Sequence, residues 1–145
     1  MAQGPSVGHV YTEPRYHVPH TWQFPTVVDT TAGGAGIGGA ASHSNLFRMP
    51  FKAKLKKFGV IPCSGTSVIC STTTSFALLT QAGTAIFTWT PGKTTLTKRV
   101  ATGKTPTTAT TIPAKKLVQP VVAELTGSGG SVIFFMDYEE TYNPS

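Results

Sequence analysis

FRMPFKAKLKKFGV, residues 47–60, sets Phe47, Met49, Phe51, Ala53 and Leu55 at alternate positions, with Arg48, Lys52, Lys54 and Lys56 between them. Successive side chains of a strand point to opposite faces, so the stretch predicts a half-buried β-strand with a cationic outer surface. The alternation slips at Lys56-Lys57, after which Phe58 and Val60 resume the apolar places. A β-bulge, or the exit of the strand, is expected there.

The rest of the chain agrees with a β-protein. Its 145 residues fit one domain with an appendage. Charged residues make up 12%, about half the usual share. Threonine takes their place, in runs such as Ser71-Thr72-Thr73-Thr74 and Thr107-Thr108-Ala109-Thr110-Thr111. Threonine, valine, isoleucine and the aromatics suit strands, while glycine and proline interrupt helices.

From Phe47 onward, apolar runs and turn residues alternate. Strands are expected near 47–61, 66–72, 75–80, 84–90, 94–101, 109–118, 120–126 and 131–141. The intervening turns fall at Pro62-Cys63-Ser64-Gly65, Gln81-Ala82-Gly83, Pro91-Gly92, Gly103 and Gly127-Ser128-Gly129-Gly130. About eight antiparallel strands in that length predict a single jelly-roll-like β-sandwich over 47–145. Its last strand repeats the alternation, with Val132, Phe134, Met136 and Tyr138 against Ile133, Phe135, Asp137 and Glu139.

Residues 1–46 differ. Pro14, Pro19 and Pro25 stand among Tyr11, Tyr16, Trp22 and Phe24, and 32–41 is a run of very small residues. Proline drives its neighbours into extended conformations, and such a segment cannot bury a core alone. An extended N-terminal arm is expected. Its aromatics are costly to leave in water, so they lie against their own domain or a neighbouring subunit.

Charge is divided along the chain. The net charge is +6, yet no acid occurs between Asp29 and Glu124, and eleven of the twelve Lys and Arg fall inside that gap. Asp137, Glu139 and Glu140 crowd the C-terminal end. In a jelly roll the first and last strands are neighbours, so Asp137 and Glu139 would lie beside the cationic face of 48–56. Such cross-strand pairs contribute about 0.2–1 kcal/mol each, and their larger effect is on register, because a one-residue slip would bury a lysine. The same charges would otherwise be solvated or face a partner.

Several chemical signals fail on context. Gly34-Ala35-Gly36-Ile37-Gly38-Gly39 matches GxGxxG, but no strand-to-helix turn frames it and no acid follows to hold a ribose. Gly92-Lys93-Thr94 and Gly103-Lys104-Thr105 end like a phosphate loop, yet Phe87 and Lys98 occupy the place of its leading glycine. His9, His17, His20 and His43 all precede the domain, which leaves it no histidine base for a nucleophile and no close set of metal ligands. No enzyme activity, cofactor or metal is expected. Cys63 and Cys70 are expected to be free thiols. Nothing resembles an export signal or a membrane span.

A sequence pI near 9.6 would suit nucleic acid. Single-strand binders, however, show stacking aromatics on the cationic surface, and here Phe47 and Phe51 point away from the lysines. Nonspecific phosphate attraction is the weaker alternative.

Taken together, the proline- and glycine-rich leader, the FR-x-P-F-x-A-x-L phrase at 47–55, Ile112-Pro113-Ala114 and the closing VIFFMDYEE at 132–140 resemble the jelly-roll cement, or decoration, proteins of short-tailed bacteriophages. The resemblance implies a virion protein on the capsid exterior, made in the host cytoplasm. It would bind the major capsid protein at coat-subunit contacts, as a dimer or trimer on a capsid symmetry axis. Arg48, Lys52, Lys54 and Lys56 would then face the shell or a sister subunit, and Tyr11, Tyr16, Trp22 and Phe24 would anchor the arm. A tail or head-fibre component of a virion is the alternative within the same class.

Overall fold

A computed structural model of the chain describes residues 16–25, 27–29, 46–63, 67–124 and 130–142. Strands β1 (Tyr16–Gln23) and β2 (Val28–Asp29) come first, followed by β3 (Phe47–Arg48), β4 (Ala53–Pro62) and β5 (Val68–Cys70). Next are β6 (Ser75–Thr80), β7 (Ala85–Trp89), β8 (Thr94–Leu96) and β9 (Thr102–Lys104). The last three are β10 (Thr111–Ile112), β11 (Leu117–Glu124) and β12 (Ser131–Tyr142). The fold is all-β and antiparallel, with no helix among the described residues.

β4 and β12 form the centre of a six-stranded sheet. β9 and β10 share the outer side of β4, and β1 and β2 share the outer side of β12. A second sheet runs β3-β11-β6-β7, and β5 pairs with β8. The two larger sheets meet across one core in which Phe134 of β12 stacks on Phe58 and meets Phe76 of β6 edge-on. Val132, Phe134, Met136 and Tyr138 are all buried, as the alternation of 131–141 predicts.

Three expectations are corrected. The first expected strand, 47–61, is two strands in different sheets. Pro50 cannot continue a ladder, and at this point Met49 turns fully inward while its backbone ties the crossover down. Met49 N–H donates to Lys116 O at 3.0 Å, and Lys115 N–H donates to Met49 O at 2.7 Å.

The second correction concerns the leader. Residues 16–23 pair with 135–142 within the sheet, the own-domain placement of the two expected for the arm, so the segment shares the fold of the residues beyond 46. Pro19 is tolerated in β1 because, among the described residues, that strand has a neighbour on one side only.

The third is the division of the later strands. The expected strands 109–118 and 120–126 become a short β10 and a long β11 that runs through Pro120. At that point β6 is the single pairing neighbour of β11 among the described residues, since β3 reaches only Leu117 and Val118. Between β10 and β11, Lys115 adopts φ 61°, a left-handed turn that ends one strand before the next begins. Similarly, a turn with Arg99 at φ 65° separates β8 from β9.

The slip at Lys56-Lys57 is a bulge. Asp137 pairs with Lys57 and Tyr138 with Leu55, so Lys56 is the extra residue. The bulge keeps Ala53, Leu55, Phe58 and Val60 facing the core on both of its sides.

Candidate functional site

The outer surface of the six-stranded sheet carries the predicted charge ladder. Lys57 stands opposite Asp137 and Lys54 opposite Glu139 in register. On the far side of β12, the Thr21 hydroxyl donates to Asp137 Oδ1 at 2.8 Å. Two of the lysines therefore face acids of the same sheet, although one of them, Lys57, is outside the set expected to face a partner. Lys52 and Lys56 are exposed and have no acidic cross-strand neighbour among the described residues, because Lys52 precedes the strand and Lys56 occupies the bulge.

Arg48 does not join this surface. It lies on β3, in the other sheet, opposite Leu117. The crossover at Met49 instead brings it beside Lys115 and Lys116, around an open groove of about 580 Å³. Sequence spacing gives no hint of this meeting, since it depends on the two backbone hydrogen bonds of Met49. Lys115 reaches it through a backbone conformation that costs an L-residue roughly 1–2 kcal/mol.

Two of the arm aromatics, Phe24 and Trp22, pack against the core of their own chain. Phe24 is 1% exposed, and its N–H donates to Phe134 O at 2.9 Å. It is a core residue of its own chain, so it cannot anchor on a neighbour. Trp22 packs on Phe47 with ring centroids 4.5 Å apart, closing the seam between β1 and β3. Its Nε1 is buried with no acceptor among the described residues. Phe51 lies against His20 and Tyr138 at 5.7 and 6.2 Å. Neither Phe47 nor Phe51 offers an open stacking face next to the lysines. Tyr16 belongs to β1 by its backbone; Tyr11, His9, His43 and the glycine run at 34–39 lie outside the described residues.

In the middle of β1, His20 Nε2 is 3.3 Å from Glu140 Oε2, and the imidazole stacks on Tyr138 with centroids 5.1 Å apart. Burial, and secondarily the charge of Glu140, pushes the Tyr138 phenol above its ordinary 10.0. Burial also raises the Cys70 thiol above 9.0. In the unfolded chain both groups release their protons first, so above those ordinary values the folded state holds more protons. Stability is then lost as pH rises. Urea denaturation from about pH 8 to about pH 11 should show this decline, and Tyr138→Phe with Cys70→Ala should flatten it. An unchanged slope in the double variant would assign the decline to other groups.

Among the described residues, no three His, Cys, Asp or Glu side chains gather as a metal site. Cys63 and Cys70 are free; Cys63 Sγ donates to Ser131 O at 3.4 Å. No family model, curated protein or solved structure matches the chain.

Proposed function

We propose that this chain is a structural protein of a virion, of the jelly-roll cement type, which binds the outer surface of a phage capsid at coat-subunit contacts and reinforces the shell. One observation carries the reading. Of the eleven cations between Asp29 and Glu124, ten are exposed, and Lys57 alone is half-buried. They surround a β-framework whose core takes in Phe24, Phe58, Phe76, Trp89, Phe134 and Tyr138.

Such a surface has little use inside the fold. Exposed charges contribute little to stability, whereas they steer association with an acidic partner and set its register. The partner is the major capsid protein. Several modest contacts, repeated in a dimer or trimer on a symmetry axis, add up by avidity without one strong site.

Sedimentation with coat-protein shells assembled from the same genome tests the proposal. The protein should pellet with shells at low ionic strength and be released as salt shortens the screening length. Reversing Lys52 and Lys56 to glutamate should weaken pelleting about tenfold, at roughly 0.2–1 kcal/mol per exposed charge contact. Because neither residue faces an acid in register, the melting temperature should not move. A protein that stays in the supernatant at every salt concentration, or that prefers DNA to shells, refutes the reading.

A further inference from the structure

We infer that the groove between β3, the 81–84 turn and the 113–116 turn is a docking site for an acidic peptide segment of a partner protein. Among the described residues three cations, Arg48, Lys115 and Lys116, line it, and no acid does. Thr80 and Thr84 stand on the same wall. The Thr80 hydroxyl already accepts from Thr84 N–H at 3.2 Å, which leaves its own hydrogen available to a carboxylate. Pro113 and Leu117, both half-buried, add an apolar part to the lining.

That composition selects the class of occupant. Cations beside an apolar surface suit a chain that alternates carboxylates with apolar side chains. A single strand held by base stacking would use an aromatic, and none lines the groove among the described residues. Free phosphate would leave the apolar part unused.

The groove is also held in shape before anything binds. Gln81 N–H donates to Leu117 O at 2.9 Å, tying one wall to β11. The hydrogen bonds of Met49 tie the other, and they keep Lys115 in its left-handed conformation. A non-glycine residue retained at such a position, with its cation at a groove, is where a binding role is to be sought. The source of the segment, an exposed acidic stretch of the coat protein, rests on the function proposed above; the groove's chemistry does not.

The test titrates the full chain, observed by amide NMR, with a short capped peptide alternating glutamate and leucine. The same peptide with glutamine for glutamate, inorganic phosphate and single-stranded DNA serve as comparisons. The acidic peptide should shift the amides of 80–84 and 114–117, and the glutamine peptide should not. Arg48→Gln with Lys115→Asn and Lys116→Gln should weaken binding at least about tenfold. Asparagine tolerates the left-handed backbone, so the variant should melt with the parent.

Unchanged affinity in that variant overturns the inference. Shifts centred on 52–56, or tighter binding of phosphate or DNA in the groove, also overturn it. Shell sedimentation of the same variant separates the two claims. A variant that has lost the peptide but still pellets removes the coat protein as the source. A parent that binds the peptide but never pellets refutes the shell function and leaves the groove standing.

Discussion

Replacing Gly59 with alanine is expected to disrupt the six-stranded sheet, lowering stability by about 3 kcal/mol or more, the upper end of the overpacking range. Gly59 of β4 faces Gly103 of β9 in register. A Cβ on Gly59 would fall 2.5 Å from Gly103 Cα and nearer still to Thr102 O. A Cβ on Gly103 would lie 2.9 Å from Gly59 Cα and closer to Phe58 O. Every one of these neighbours is backbone, so no rotamer change relieves the contact, and β9 must move away. That movement would open the strand whose residues Phe58 and Val60 are fully buried.

Gly83→Ala is the informative control. Gly83 sits at φ 95° with nothing within 4 Å of an added Cβ, so alanine there meets backbone strain alone, about 1–2 kcal/mol. Thermal and urea unfolding should therefore rank Gly59→Ala well below Gly83→Ala. Equal midpoints for the two variants would show that β9 is not held against β4 as described.

The contrast between these glycines explains what the sequence could and could not disclose. Gly83 follows Gln81-Ala82 in an evident turn, and local chemistry identifies it. Gly59 sits inside an apolar run, and its role depends on Gly103, which the sequence offers only as a turn residue. The same division holds elsewhere. The inward set Val132, Phe134, Met136 and Tyr138, and the alternation at 53–60 with its slip, could be read directly from each strand, whereas Phe135, expected on the outer face, is buried as well.

The break at Met49-Pro50 was hidden for a physical reason. Two sheets that share one core both turn their apolar residues inward, so Phe47, Met49 and Phe51 keep their period across the crossover. Periodicity reports which way a residue faces, and is silent on which sheet it belongs to. Arg48 therefore seemed to continue the lysine face of 52–56, when the crossover in fact sends it to Lys115 and Lys116. The leader's prolines pointed to an extended segment lying on its own domain or on a neighbour, and a strand with one neighbour among the described residues accommodates Pro19. Only the long-range pairing of 16–23 with 135–142 distinguishes the two.

Deleting residues 1–29 is therefore expected to produce an aggregating remnant rather than a folded protein that has merely lost its attachment. The deletion removes β1 and β2 together and uncovers one entire side of β12, a strand of 12 residues. Long exposed strand edges recruit other chains. It also removes Phe24, whose ring is 1% exposed. Truncating a buried phenylalanine to alanine alone costs about 3–5 kcal/mol, against a typical total stability of about 5–15 kcal/mol. Trp22 leaves as well, and Phe47 at the seam between the sheets loses its cover. Size-exclusion chromatography and circular dichroism check the outcome, and a monomeric remnant with a cooperative melt would show that β1 is dispensable. A companion truncation of residues 1–15 retains every described strand, and is expected to melt with the full chain. Any loss of shell binding in that shorter truncation belongs to Tyr11 and its neighbours, whereas the same loss in the longer one reports only that the sheet has come apart.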